Sequence, residues 1–278
     1  MKNISTRFLK NNQRILETLK TIITICKKMD IDHLIIGAFA RDILMSGEYN
    51  YSQLRATRDL DIAVLMEGYW QYQNLMNELC DNHGWKQSNE PHRLETNKGE
   101  IIDILPFGGI ESEKRTVTFK GKDIVEMSVI GFNESYKTNE IVQLDDGSVI
   151  KITSLANLCL LKLIAWSYNN TRTRDIQDFV FILDKYADIF QDAIFNDYPD
   201  LLDNGWSINV SAKLLGIHIE NTLKKGWQLR MHFTSILDDA IQGKNELLQV
   251  ITIENKAPIV SNKKMLGAIL EGIDYAQS

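Results

Sequence analysis

Cysteine is scarce in this chain of 278 residues: Cys26, Cys80 and Cys159 are odd in number and form no Cys-x-x-Cys pair. They read as buried, reduced thiols rather than a disulfide framework. Positive charge is in deficit as well. Lys and Arg number 31 against 37 for Asp and Glu, a net charge of −6, which excludes a generally basic nucleic-acid-binding coat. Any polynucleotide partner would have to be held by a local cationic patch or through metal ions, because an anionic surface repels phosphate at long range. No run approaches the roughly 18 uninterrupted apolar residues of a membrane span. The polar start, Met1-Lys2-Asn3-Ile4-Ser5-Thr6-Arg7-Phe8, lacks the apolar core of a signal peptide, and a cytoplasmic protein without a membrane partner is expected. Internal repeats and low-complexity tracts are absent, and His33, His83, His92, His218 and His232 show no metal-ligand spacing. What remains is the composition of an ordinary folded protein, 44% hydrophobic and 24% charged, long enough for about two domains at roughly 150 residues each.

Hydrophobic periodicity divides the chain near residue 153. Ile15, Leu16, Leu19, Ile22, Ile23 and Ile25 recur at three- and four-residue spacing, predicting an amphipathic helix over 11–28. Leu34-Ile35-Ile36 reads as a short buried strand that stops at Gly37, with a second helix over 38–45. After a polar stretch, Asp59-Leu60-Asp61-Ile62-Ala63-Val64-Leu65 alternates like a strand with acids on one face. Residues 69–82 read as helix and 100–106 as a strand carrying Asp103. Further strands are expected at 116–119, 124–129, 141–144 and 148–153, the last two flanking the hairpin-turn sequence Asp145-Asp146-Gly147. Beyond Thr153 the texture is helical. Ser154 is a candidate N-cap for a helix reaching about Trp166, and 175–186, 211–224, 229–241 and 263–275 follow. An α/β half over 1–153 and a helical domain over 154–278 are therefore expected.

The informative constellation is Gly37-Ala38 at a strand-to-helix junction, Asp59-x-Asp61 on a later strand, and Asp103 on a third. Residues i and i+2 of a strand point to the same face, so two carboxylates there repel unless a cation lies between them. Hard oxygen donors favour Mg²⁺ or Mn²⁺. If the strand of Asp103 pairs beside that of Asp59 and Asp61, three acids can hold two ions about 3.5 to 4 Å apart, the geometry of in-line phosphoryl displacement. Backbone N–H groups near Gly37 and Ala38, at a helix start, suit phosphate. Singly, an Asp-x-Asp is solvated surface and a lone Gly is a turn; together they point to a site. On the strand of Asp103, Ile101 and Leu105 share its face, so that strand is expected to be buried on both sides.

At this point the residues resemble a known family. Leu34-Ile35-Ile36-Gly37-Ala38-Phe39-Ala40-Arg41-Asp42 and Arg55-Ala56-Thr57-Arg58-Asp59-Leu60-Asp61-Ile62-Ala63-Val64 look like the nucleotidyltransferase superfamily that includes DNA polymerase β, and closer still like its AbiEii/AbiGii toxin type. The likeness continues through Ile102-Asp103-Ile104-Leu105-Pro106, Leu161-Lys162-Leu163-Ile164-Ala165-Trp166 and Arg174-Asp175-Ile176-Gln177-Asp178-Phe179, covering residues 30 to 190. The resemblance implies an α+β fold, a nucleotidyltransferase-type mixed sheet with flanking helices, followed by a helical domain that closes the nucleotide cleft. It implies two divalent ions and transfer of a nucleoside monophosphate from an NTP to a hydroxyl. By motif position Asp59, Asp61 and Asp103 would be metal ligands and catalytic carboxylates, Gly37 and Ala38 would bind phosphate, and Lys162 would reach the nucleotide. Lys162 pairing with Asp175 or Asp178, or snorkelling to water, is the competing reading. The superfamily's second Gly or Ser is Ala38 here, so phosphate would rest on backbone amides alone.

Arg55 and Arg58 are further triphosphate candidates, as are Arg172 and Arg174 from the helical half. Arg41 and Asp42 are read as pairing with each other or with Arg58, or as helix surface. Trp85, Trp206 and Trp227 are expected to pack rather than stack on bases, since none lies in a basic-aromatic run. Three functions compete. The toxin resemblance implies transfer to RNA, a tRNA 3′ end being one such acceptor, in a toxin–antitoxin or phage-defence system with a cognate antitoxin as partner. The acidic net charge suits a small hydroxylated cation, as in aminoglycoside nucleotidyltransferases. The third is a fold that binds nucleotide or a partner without turnover.

Overall fold

The computed structural model describes residues 2–55, 57, 59–120, 124–144, 146–203 and 205–277. The chain divides into two compact units, Met1–Ser154 and Leu155–Ser278. The fold is mixed α/β. Among the described residues no helix is long and apolar enough to cross a membrane.

The first unit is built on an eight-stranded mixed sheet. Its strands are β1 (Lys2–Asn3), β2 (His33–Ile36), β3 (Asp59–Met66), β4 (Lys86–Gln87), β5 (Arg93–Glu95), β6 (Ile101–Gly108), β9 (Glu140–Gln143) and β10 (Val149–Ile152), in the order β1-β9-β10-β2-β3-β6-β5-β4. At its centre β2 runs antiparallel to β3, β3 parallel to β6, and β5 antiparallel to β6. From Ile102 to Phe107 every residue of β6 is buried, so this strand is covered on both faces, as the imperfect alternation around Asp103 implied. β7 (Thr116–Lys120) and β8 (Ile124–Ser128) stand apart as a two-stranded sheet of their own. The hairpin predicted between β9 and β10 is present as an antiparallel pair, with Gly147 at φ +81°, although Asp145 of its turn lies outside the described residues.

Flanking helices close the sheet. α1 (Thr6–Asn11) precedes α2 (Gln13–Lys28), which buries Ile15, Leu16, Leu19, Ile22 and Ile25, the stripe its periodicity announces. α3 (Gly37–Asp42) starts directly from β2 and passes into a π-helical turn, Ile43–Glu48, three residues beyond the predicted end. α4 (Tyr69–Asn77) ends likewise in a π-helical stretch, and α5 (Phe132–Lys137) follows β8.

The second unit comprises α6 (Leu155–Tyr168), α7 (Thr173–Ile189), α8 (Gln191–Asp197), α9 (Ile208–Leu223), α10 (Trp227–Ile241), α11 (Leu247–Asn255) and α12 (Ile259–Tyr275). α6 is buried on nearly every side, as expected of a helix that is apolar all round. α9 and α12 meet backbone to backbone. A Cβ on Gly216 would lie 2.1 Å from the Ile269 carbonyl oxygen, and one on Gly272 would lie 2.0 Å from that of Lys213. Only glycine fits this crossing.

Two packing expectations fail. Trp85 is buried, but Trp206 and Trp227 are 48% and 73% exposed. Trp227 opens α10 directly after Gly226, where a first-turn side chain meets solvent, and the Trp206 ring lies 6.2 Å from the exposed ring of Phe195. Cys26 and Cys159 are buried thiols, whereas Cys80, in the π-helical stretch after α4, is half-buried.

Candidate active site

Strand register assembles the acids. Ile36 on β2 pairs with Asp61 on β3, so Gly37, the next residue, lies against the Asp61 side chain. Gly37 has φ +72°, and a Cβ there would stand 1.9 Å from Asp61 Oδ2. Glycine is therefore required twice over, by the left-handed backbone and by a carboxylate pressed against the helix start. The parallel register of β3 and β6 then sets Asp61 directly beside Asp103 and Asp59 beside Ile101. Asp59 is exposed, Asp61 half-buried and Asp103 buried. The acids thus form a row that runs from solvent into the sheet, with Asp59 and Asp61 on one strand face.

A residue that the sequence reading passed over completes the row. Arg93 on β5 is paired with Asp103 and forks onto it, Nε donating to Oδ1 and Nη2 to Oδ2, both at 2.8 Å. Its hydrogen bonds to Asp103, against some desolvation and with the charges of Asp103, Asp59 and Glu90, hold the guanidinium firmly protonated. A planar fork on a carboxylate is the strongest pairing Arg makes.

Behind the acids, α3 anchors the polar stretch that leads into β3. Arg41 and Asp42, both fully buried, bond to each other through Arg41 Nε and Asp42 Oδ1 at 2.8 Å. The Thr57 hydroxyl donates to Asp42 Oδ2 at 2.8 Å, and Gln53 Nε2 reaches the same oxygen at 3.3 Å. Arg41 and Asp42 therefore pair as read, but in the interior, where their network ties Thr57 and Gln53 to α3. Arg55 is half-buried. Arg58, a candidate nucleotide ligand, lies outside the described residues.

Lys162, from the second unit, is 6% exposed on α6. Its Nζ lies 2.6 Å from Asp178 Oδ2 and 3.0 Å from Asp175 Oδ1, and Arg172 Nε donates to the other oxygen of Asp175. A lysine on a helix buried all round needs such partners to stay charged. Arg174 is exposed.

The donor chemistry of Asp59 and Asp61, hard oxygens two residues apart on one face, fits a divalent cation such as Mg²⁺ or Mn²⁺. Asp103 has both oxygens on Arg93, and among the described residues no group of three His, Cys, Asp or Glu is arranged to hold an ion. The two carboxylates of β3 thus suit a cation by their chemistry, and recruiting Asp103 requires Arg93 to let go.

A mixed sheet that carries Asp-x-Asp beside a glycine-started helix, with a further acid on the adjacent strand, defines a nucleotidyltransferase-type fold. The family model for the nucleotidyl transferase AbiEii toxin of type IV toxin–antitoxin systems matches residues 50–232, more than half of the chain. The protein belongs to that family. The match includes Asp59, Asp61, Asp103 and Lys162 and begins after Gly37. Similar solved structures include the lincosamide antibiotic adenylyltransferase LnuA in its lincomycin-bound form, 16% identical over 55% of this chain and 83% of that one, with a TM-score of 0.32. Another is the antibiotic-resistance factor ANT(2'')-Ia, 10% identical over 68% of this chain and 96% of that one, with a TM-score of 0.38. Likenesses this low say nothing about substrate. A comparison with curated proteins found no match.

Proposed function

We propose that this toxin-family protein moves a nucleoside monophosphate from an NTP to a hydroxyl on RNA, a tRNA 3′ end being the favoured acceptor. The observation that carries the reading is the placement of Asp61 between Gly37 and Asp103, which puts carboxylates and the start of α3 together at one end of the central strands. Membership of a toxin family supports an acceptor that a growing cell needs.

In this reading Asp59 and Asp61, joined by Asp103 once it leaves Arg93, would hold Mg²⁺ or Mn²⁺. When bound, the cation supplies positive charge to the triphosphate and acidifies the attacking hydroxyl. The chain's own residues do the rest. Asp103, released from Arg93, takes up the hydroxyl proton as oxygen attacks the α-phosphorus and the bond to pyrophosphate breaks. Amides at Gly37 and Ala38 face phosphate oxygens, and Arg58 and the freed guanidinium of Arg93 neutralise departing charge. Lys162 contacts nucleotide only by opening its bonds to Asp175 and Asp178, so its first task is to join α6 to α7. A cognate antitoxin is the expected protein partner.

The net charge of −6 favours a second acceptor class, small hydroxylated cations. Sequencing RNA 3′ ends from cells that express the wild type or Asp61→Ala separates the two. Growth arrest with untemplated 3′ nucleotides, both absent in the variant, is the expected result. Equal arrest by the variant, or arrest with unaltered RNA ends, contradicts transfer to RNA.

A further inference from the structure

Positive charge collects at one end of the second unit. α9 and α12 touch at Gly216 and Gly272 and run antiparallel, since α12 ends where α9 begins: the Tyr275 hydroxyl lies 3.3 Å from Asp200 Oδ1, and Lys213 Nζ stands 5.3 Å from the Tyr275 ring centroid. Lys224 follows Gly216 by eight residues and Lys264 precedes Gly272 by eight. At the helical rise both sit about 12 Å beyond the contact, at the same end of the pair. Lys225 and Lys263 adjoin them, and all four residues are exposed. Lys224 Nζ donates to Asn221 Oδ1 at 2.8 Å, and among the described residues none of the four is ion-paired. The stretches that build this end, 221–237 and 255–270, contain no Asp or Glu, in a chain whose net charge is −6. The nearest acid in sequence before them, Glu220, is buried and already holds Arg230.

Two further features narrow the partner. α10 and α12 both start at this end, at Trp227 and Ile259, with no acid in the first turn and no side chain capping their leading amides, so the positive ends of two helices add to the lysines. Lysines at the end of α9 are favoured by its own dipole, but a pair in the second turn of α12 gains nothing from its helix. Trp227 is joined to Lys224 and Lys225 across Gly226 and is 73% exposed, although an indole of this size is ordinarily well buried. Unpaired cations suit a chain of phosphates, and an open indole beside them suits the face of a base that is not already stacked.

We propose that this end of the second unit is a docking surface for single-stranded RNA. Lys224, Lys225, Lys263 and Lys264 neutralise backbone phosphates, and the Trp227 ring stacks on an unpaired base. This is the local cationic patch that an acidic chain needs to hold a polynucleotide. The surface deepens the reading of RNA as acceptor, on which its biological use rests, but binding there requires no step of nucleotidyl transfer.

The test is fluorescence anisotropy of a labelled oligouridine RNA with full-length protein, in EDTA and without NTP, over a range of salt concentrations. The variants Lys224→Ala with Lys225→Ala, Lys263→Ala with Lys264→Ala, and Trp227→Ala all change exposed positions. Each lysine double should lower the slope of log affinity against log salt by about 1.4, two phosphate contacts at about 0.7 each for a single strand. Trp227→Ala should weaken binding at least about five-fold, the scale of one lost stacking contact, with the salt slope unchanged, and should leave binding of a blunt RNA duplex as it was. Unchanged binding in both lysine doubles overturns the proposal, as does an equal loss on removing Lys27 and Lys28, two exposed lysines of the first unit. Single-strand binding that ignores Trp227→Ala, or tighter binding to phosphatidylserine vesicles than to RNA at the same salt, overturns it too. Label transfer into RNA by the wild type is scored separately, so loss of the patch and loss of the acceptor reading are told apart.

Discussion

The two units bury charge in opposite ways. On α6 and α7 Lys162 sits within 3.0 Å of two acids, Asp175 and Asp178, all three buried, and Arg172 adds a second cation to Asp175. Along β3, β6 and β5 three carboxylates stand in a row that opens to solvent at Asp59, and Arg93 forks onto only the innermost. The first arrangement answers its own charge and holds helices together. The second gathers carboxylates at one end of the central strands, where a cation or substrate has oxygen ligands to meet. Strand register alone makes the difference, since Asp61 faces Asp103 because Ile62 faces Ile104.

Breaking each centre should therefore have opposite consequences. Lys162→Ala leaves two buried carboxylates without their lysine, and the expected loss is about 3–5 kcal/mol, seen as a large fall in unfolding temperature. A small fall would mean that the pair is not structural. Gly37→Ala comes next. Its Cβ collides with Asp61 Oδ2 and its φ is left-handed, so nucleotidyl transfer should fall about a hundred-fold with a stability cost of about 1–2 kcal/mol. Unchanged transfer would show that Asp61 need not lie against Gly37. At the other end of the scale, Arg93→Ala removes a partly exposed pair and should cost only about 1 kcal/mol. It should also tighten Mn²⁺ binding, because Asp103 is released; weaker Mn²⁺ binding would make Arg93 a supporting residue rather than a competitor.

A pH scan sharpens the same contrast, since each unit holds a neutral histidine. Burial, aided by Lys151 and opposed by Asp32, pulls His33 down to about 4, and burial alone pulls His218 to about 4. The unfolded chain takes up these protons near 6.5, above the folded values. Stability from each is complete above about 6.5 and is lost as pH falls toward 4, by about 2 kcal/mol each between pH 7.5 and 5. Chemical denaturation at those two pH values reads the loss, and His218→Gln should remove its share. An unchanged pH slope in that variant would contradict burial of a neutral ring beside the Tyr186 hydroxyl, 2.8 Å away.

Much of the site was visible in the sequence because its chemistry is tied to spacing. Asp59-x-Asp61 shares a strand face by period alone, and Gly37 marks the end of a short apolar run. Asp175 and Asp178, three apart on one helix, were visible as partners for Lys162. Arg93 was not. It lies on a three-residue strand inside a polar stretch with no alternation to read, and its bond to Asp103 follows from the β5–β6 register, which nothing local encodes. α11 was missed for a related reason: its nine residues are short for a period to stand out. Trp206 and Trp227 misled because hydrophobic size favours burial on average while their polar surroundings at chain turns do not.

The most direct measurement is label transfer from each of four α-³²P NTPs into total RNA, with Mg²⁺ or Mn²⁺, by the wild type and by an Asp59→Ala, Asp61→Ala double variant. Metal-dependent labelling by the wild type that vanishes in the variant is the result expected if the β3 carboxylates carry the reaction. Labelling that survives their loss would place the chemistry elsewhere in the protein.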